Sequence, residues 1–275
     1  MKIETGQVAV VTGGASGIGL ELCHEFGRRG MAVVAADIEA DALAAAVGAL
    51  RSAGIDAIGK ECDVTSMDSV QALADECFAW KGNVHVVCNN AGVVAFGDAM
   101  GSLEDWKWVI DVDLWGVVHG LFAFGPRMRE AGEPGHFVNT ASTAGLLGFP
   151  GIAPYVAAKH AVVGMTQSLW HELQPTALSA SVLCPGIVST NINTSERNRP
   201  GVAAGSVERS GAWGDGWAEA QTAEEVAVIV ADAVEADQFW VIPHEAYGGQ
   251  ALTLAQGRID KQPPLLPVVH EQIHP

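Results

Sequence analysis

Short apolar runs alternate along the chain with segments whose apolar residues recur every three or four positions. The runs lie at residues 7–12 (QVAVVT), 31–36 (MAVVAA), 56–62, 85–88, 136–140, 179–184 and 238–242, and each predicts a strand, the one at 56–62 being the weakest. Helical spacing predicts helices over 17–29, where Ile18, Leu22 and Phe26 share a face, and over 39–53, 67–80, 103–130, 154–173 and 222–235. The 103–130 segment reads as one long helix. Gly54 closes the helix at 39–53, and Pro175 closes the one at 154–173. The strands are continuously apolar, which is the pattern of a sheet buried on both faces. Strands separated by helices imply parallel, right-handed βαβ units. The predicted fold is α/β: a Rossmann-like, doubly wound parallel sheet flanked by helices, one domain over residues 1–275 with no repeat and no linker. Residues 191–221 are irregular, and a loop of that length predicts a lid over a substrate. From about residue 245 a C-terminal tail is expected, and Pro263, Pro264 and Pro267 bar a helix from continuing through it.

Composition narrows the function classes. The 275 residues include 15 Lys+Arg and 32 Asp+Glu, a formal net charge of −17. With 49% apolar and 17% charged residues the chain is globular rather than disordered. Its cations are scattered rather than clustered, so neither a nucleic acid nor an anionic membrane surface is expected as a partner. No apolar run approaches the roughly 20 residues that span a bilayer, and the N-terminus predicts no signal peptide. Cys23, Cys62, Cys77, Cys88 and Cys184 are odd in number and form no CxxC pair. They predict reduced, buried thiols and a cytoplasmic protein.

TGGASGIG at 12–19 joins the first predicted strand to the first predicted helix. Glycines there let the chain turn tightly and let backbone N–H groups approach a pyrophosphate, to which the helix N-terminus adds partial positive charge. Asp37 ends the second strand, 18 residues beyond Gly19. A carboxylate at that place accepts ribose hydroxyls and repels a 2′-phosphate. No Lys or Arg at Ala15, Ser16 or Ile38 offsets the repulsion, so NAD is favoured over NADP.

Tyr155 and Lys159 lie four apart and share one helix face. A phenol of ordinary pKa near 10 needs about 3–4 kcal/mol of help to act as a base near neutrality. One ammonium at about 4 Å supplies about 4 kcal/mol at an effective dielectric near 20. The pair is therefore expected to hold the phenol below its ordinary range. Ser142 follows the fifth strand, where ligands bind in such sheets, and its hydroxyl can fix a substrate oxygen for hydride transfer.

These residues, in this order, resemble the short-chain dehydrogenase/reductase superfamily in its single-domain form. The matching motifs are TGGASGIG, CDV at 62–64, NNAG at 89–92, NTASTAG at 139–145, YVAAK at 155–159 and PGIVST at 185–190, and the likeness covers about residues 5–245. It implies that Gly13, Ser16, Gly17, Ile18 and Gly19 line the pyrophosphate turn, and that Asp37 holds the adenosine ribose. By the same likeness Asp63 and Val64 flank the adenine, Asn90, Ala91 and Gly92 shape the cofactor floor, and Pro185, Gly186, Ile187 and Thr190 meet the carboxamide end. Tyr155 is implied as acid/base, Lys159 as the group that binds the nicotinamide ribose, and Ser142 as the group that positions the substrate. The family usually carries Asn in an N-L-x-G pattern within the long helix; here Asp113 stands in VDLWG at 112–116. Asp113 is expected to keep that residue's role of holding a relay water, and its charge to raise the pKa of Lys159. A homotetramer or homodimer is implied, joined through the helices at 103–130 and 154–173.

The substrate pocket is expected from Val94, Phe96, Ala144, Leu146, Phe149 and Gly186, with Trp213 and Trp217 of the lid as anchors or an aromatic wall. Arg197 and Arg199 are expected to be solvated or paired with acidic neighbours. The segments at 124–136, 190–200 and 239–246 are similar to bacterial Cα-dehydrogenases acting on lignin-derived aryl ethers, which makes a bulky, apolar or aromatic secondary alcohol the expected substrate. HEQIH at 270–274 fits a zinc pattern, but its place among prolines at the end of the chain does not suit one, and no metal is expected. No G-x-S-x-G turn surrounds Ser142, so it is not read as a hydrolase nucleophile. Two rival readings remain: an NADPH-linked carbonyl reductase, and a non-catalytic dinucleotide-binding regulator.

Overall fold

The computed structural model describes residues 1–202, 220–264, 266 and 267. Among them one parallel sheet is formed by β1 (Val8–Thr12), β2 (Ala32–Asp37), β3 (Ala57–Glu61), β4 (Val86–Asn89), β5 (Gly135–Thr140), β6 (Leu178–Leu183) and β7 (Trp240–Val241). The spatial order is β3-β2-β1-β4-β5-β6-β7. Successive connections run outward from β1 in one direction and from β4 in the other, so a crevice opens between their C-terminal ends.

The helices are α1 (Gly17–Arg28), α2 (Ala40–Ser52), α3 (Met67–Lys81), α4 (Leu103–Ile110), α5 (Gly116–Ala131), α6 (Ala153–Leu173), α7 (Ala223–Glu235) and α8 (Glu245–Ile259). The period of two along each strand divides the apolar runs between two cores. Ala9, Val11, Val33 and Ala35 meet Leu22 and Phe26 of α1, Leu43 and Leu50 of α2, and Val226 and Val230 of α7. Val8, Val10, Ala32 and Val34 meet Val70 and Leu73 of α3 and Phe124 and Met128 of α5 on the other face. The doubly wound architecture is thus as predicted, and continuous apolarity of the strands follows from burial on both faces.

Two elements differ from the sequence reading. The helix expected at 103–130 is interrupted by a π turn at Asp111–Trp115, where the Gly116 N–H bonds to the Asp111 carbonyl. The extra residue shifts the phase of the helix and turns Asp113, which is 0% exposed, into the core. Such bulges gather at functional sites. The stretch Leu103–Ala131 also contains a window apolar enough to cross a bilayer, at mean hydropathy 1.3, against the expectation that no run reaches that length. Its Val117, Phe124 and Met128 are buried in this fold's own cores. The second difference is α8, which occupies the first half of the expected tail and ends before Pro263.

Candidate active site

The crevice is bordered at one end by the glycine turn. Thr12 closes β1 and ties it to β4: its Oγ1 accepts from the N–H groups of Asn90 (3.0 Å) and Ala91 (3.1 Å) and donates to the Cys88 carbonyl (3.3 Å). Gly13, Ser16, Gly17 and Ile18 line the crevice. Gly17 has φ +54° and lies against Thr190, so a side chain there would be strained and crowded. Gly19 does not line the crevice, contrary to the sequence reading. A Cβ at that position would sit 2.1 Å from the Gly13 carbonyl oxygen, so the bare Gly19 permits the turn to fold back on α1. Ser16 caps α1 without a side-chain hydrogen bond, and the first turn of α1 carries no acidic residue. Its N–H groups are left for an anion.

Asp37 stands where β2 enters the crevice and accepts from the backbone N–H groups of Ala15 and Glu39, both at 3.0 Å. Burial pushes its carboxyl up, and those N–H groups partly pull it back. Beyond it, Glu39 binds Arg197 through several contacts, the shortest 2.7 Å, and Asn198 at 3.0 Å. Arg199 pairs with Asp105, so both lid arginines have acidic partners. Asp63 and Val64 line the crevice, although Asp63 Oδ1 already accepts from Thr65 N and Oγ1. Asn90, Ala91, Gly92, Pro185, Gly186, Ile187 and Thr190 complete the lining. An uncapped helix N-terminus, a bare glycine turn and a buried carboxylate at the adjacent strand end fit a dinucleotide.

The second cluster forms where β5, α6 and the π turn meet. Lys159 Nζ lies 3.1 Å from Asp113 Oδ2 and donates to the Thr140 carbonyl at 3.0 Å. Asp113 Oδ1 accepts from Val93 N at 2.8 Å. Tyr155, one helical turn before Lys159, has its ring centroid 5.4 Å from Nζ. Ser142 Oγ accepts from Ala144 N (3.1 Å) and reaches the Pro185 carbonyl (3.5 Å). Ser142, Tyr155, Lys159 and Asp113 are thus brought together, and the first three border the crevice. Beneath them Asn89 donates to Asn139 (2.9 Å), and Asn139 to Thr166 (3.1 Å), a buried polar ladder that stiffens the floor.

The electrostatics correct one expectation. At an effective dielectric near 20, an ion pair at 3.1 Å is worth about 5 kcal/mol, and Asp113 acts on Lys159 more strongly than Tyr155 does. Lys159 is thus engaged chiefly by Asp113. Its own pKa is raised: burial alone would lower it, but Asp113 and Tyr155 outweigh burial. Burial raises the Tyr155 phenol above its ordinary range; Lys159 and Ser142 pull it down, and Asp113 opposes them. The phenol is therefore not depressed in the protein alone. Burial likewise raises Asp113, against the pull of Lys159 and the Val93 N–H.

On the substrate side Val94, Ala144, Phe149 and Gly186 line the crevice together with Trp108 and Ile192. Phe96 does not: it packs against the buried Val93–Trp108 cluster. Leu146 packs instead beside Val162 and Val163. Trp213 and Trp217, within residues 203–219 of the expected lid, and His270, Glu271 and His274 lie outside the described residues. Sequence reasoning missed His244 and Tyr247. His244 Nδ1 accepts from Gly186 N at 3.1 Å, and Tyr247, 4% exposed, lines the crevice. Tyr247 belongs to the region read as tail and His244 directly precedes it; a Tyr three residues after a His was the available signal.

A family model described as short chain dehydrogenase matches residues 7–201. The chain is 38% identical over 244 residues to 1-deoxy-11-beta-hydroxypentalenate dehydrogenase of Streptomyces exfoliatus, covering 88% of this chain and 84% of that protein. It is 37% identical over 202 residues to the C alpha-dehydrogenase of Sphingobium, covering 73% and 66% respectively. A crystal structure of a short chain dehydrogenase/reductase from Burkholderia phymatum in complex with NAD superposes with TM-score 0.90 at 36% identity, covering 98% of this chain and 99% of that one.

Proposed function

The chain belongs to the short-chain dehydrogenase family and is an oxidoreductase, and from that premise we propose that it interconverts a bulky, apolar, best aromatic, secondary alcohol and its ketone with NAD. The observation that carries this reading is the convergence of Ser142, Tyr155 and Lys159 on a crevice whose other end holds Asp37. When bound, NAD supplies the hydride acceptor and, reduced, the hydride donor. The α1 N-terminus and the turn at Gly13, Gly17 and Ile18 hold the pyrophosphate. Asp37 accepts the ribose hydroxyls and repels a 2′-phosphate. Lys159 keeps a positive charge at the nicotinamide end. Ser142 Oγ orients the substrate oxygen, and Tyr155 Oη takes the hydroxyl proton in oxidation and returns it in reduction.

The substrate class is supported by the apolar wall of Val94, Trp108, Ala144, Phe149 and Ile192, and by the names of the relatives, which act on a hydroxypentalenate and at a Cα position. Five unpaired, buried thiols support a reducing, cytoplasmic setting. Trp115 and Phe122, 49% and 70% exposed near and on α5, support assembly of a dimer or tetramer through that helix.

The test is an NADH absorbance screen of aliphatic, steroidal and benzylic secondary alcohols, paired with NADH and NADPH affinities for the wild type and Asp37→Ser. Turnover of benzylic or polycyclic alcohols is expected. NADH is expected to bind at least about tenfold tighter than NADPH, a margin that Asp37→Ser narrows. A wild-type preference for NADPH would replace the reading by that of a carbonyl reductase. Tight NAD binding without turnover, unaffected by Tyr155→Phe, would make the chain a regulator.

A further inference from the structure

Asp113 and the asparagine of the same shape differ in one head-group atom. Oδ1 accepts from Val93 N at 2.8 Å, a bond that either residue's oxygen makes. The second atom faces Lys159: Oδ2 lies 3.1 Å from Nζ, with the two side chains 0% and 2% exposed. An amide there would point its own N–H groups at a cation. Gly92 covers the pair so closely that a Cβ on it would touch Nζ at 3.4 Å and the carboxylate at 3.6 Å. The groups that face the Tyr155 phenol are Lys159 from its own helix, Asp113 from the π turn, Ser142 beyond β5 and Cys184 beyond β6. Of these the ammonium alone is a cation.

We propose that Asp113 is a positioning residue that claims the Lys159 charge, so that Tyr155 keeps its proton in the coenzyme-free protein and yields it only against the added positive charge of an oxidised nicotinamide or at alkaline pH. Burial and the carboxylate both act in this direction. The consequence is a shifted working range. Ketone reduction, which needs the protonated phenol, persists to higher pH than it would with a neutral residue at 113. Alcohol oxidation loses activity on the acid side earlier. The overall equilibrium between alcohol and ketone is untouched.

The proposal rests on the reading of Tyr155 as the acid/base, and its first test is independent of turnover. The chain has two tyrosines, so a Tyr247→Phe background leaves Tyr155 as the reporter in a tyrosinate absorbance titration, run without coenzyme or substrate. Near-ultraviolet circular dichroism marks the pH range over which the fold is intact. Asp113→Asn is expected to lower the midpoint by at least about one unit, a tenfold gain in phenolate at a given pH. Asp113→Ser, smaller and equally uncharged, repeats the measurement if the amide variant does not fold. In the otherwise wild-type chain, Asp113→Asn is expected to move the acid limb of kcat/KM for alcohol oxidation to lower pH. Coincident or raised midpoints in the uncharged variants would overturn the proposal, as would an acid limb that stays in place. A failed alcohol screen leaves the titration readable, and coincident midpoints leave the screen's outcome intact, so the two failures are distinct.

Discussion

Replacing Lys159 by methionine isolates a charge that no other cation among the described residues neutralises. In the native protein Asp113 has two partners, the ammonium at 3.1 Å and the Val93 N–H at 2.8 Å, and no exposure to solvent. The ion pair's attraction of about 5 kcal/mol at an effective dielectric near 20 is largely consumed by the desolvation of both groups, so the intact pair adds little net stability. Lys159→Met removes the attraction and leaves the desolvation of the carboxylate. Breaking one side of such a pair costs about 3–5 kcal/mol, a large part of the 5–15 kcal/mol typical of a whole domain. The sign of the pH dependence follows from Asp113, whose folded-state pKa is already raised by burial. A carboxyl raised on folding costs stability above its folded pKa and returns it as pH falls through that value. Without the ammonium the return begins at a higher pH. Urea unfolding of Lys159→Met is therefore expected to show its largest deficit at neutral and alkaline pH, shrinking toward acid. Lys159→Met combined with Asp113→Leu is expected to recover most of the deficit. Wild-type stability in the single variant, a deficit independent of pH, or a double variant as unstable as the single one would refute the argument.

Two other changes read the packing beneath the site. His136 is 0% exposed in β5; its Nε2–H donates to Ser181 Oγ at 2.7 Å, since that hydroxyl itself donates to the Gln238 carbonyl, and burial holds its pKa down at about 3. The unfolded chain takes up a proton near pH 6.5 that the native chain refuses, so stability should fall from about pH 6.5 toward 3 by up to about 4–5 kcal/mol. His136→Gln is expected to flatten that slope in urea titrations at neutral and mildly acidic pH, and an unchanged slope would count against it. Gly120→Ala brings a Cβ to 1.9 Å from Asn89 Oδ1, so a loss of at least about 1–3 kcal/mol is expected. On the same helix Gly125→Ala meets only Phe137 at 3.8 Å and should be neutral or stabilising; equal effects of the two would refute the role of Gly120 as a spacer.

Burial on both faces made the sheet legible, because β1 and β2 are buried at every position and apolar at nearly all of them. The turn at 12–19 and the residues 142, 155 and 159 were legible because each has a chemistry that few other residue types supply. The π turn was not, because apolar spacing over 103–130 registers a helix but not the single extra residue that changes its phase at Asp111. Nor was α8: its one buried side chain is Tyr247, and Gly248 and Gly249 dilute the helical pattern. The packing duty of Gly19 against the Gly13 carbonyl was not legible either, because a motif shows which residues recur and not which contacts each one makes. The phenol's direction was misjudged for a different reason. Asp113 was recognised beside Lys159, yet the ammonium was counted at full strength toward Tyr155.

The two ends of the crevice solve opposite problems with carboxylates. At the end proposed for the adenosine Asp37 accepts from backbone N–H groups, and among the described residues no cation pairs with it. The nearby Arg197 is engaged by Glu39. Among the described residues the negative charge there is balanced by backbone dipoles, which on the proposed reading suits it to accept hydrogen bonds from hydroxyl groups and to repel a further phosphate. At the end proposed for the nicotinamide Asp113 does have a cation, Lys159, and the pair is nearly neutral toward its surroundings. A phenol beside a neutral pair in a dry site has little reason to ionise. Its acidity then depends on charge delivered from outside the protein, which on the function proposed above is the positive charge of the oxidised nicotinamide. Proton release from Tyr155 is thereby coupled to the redox state of the coenzyme, where a lone ammonium would have fixed it in advance.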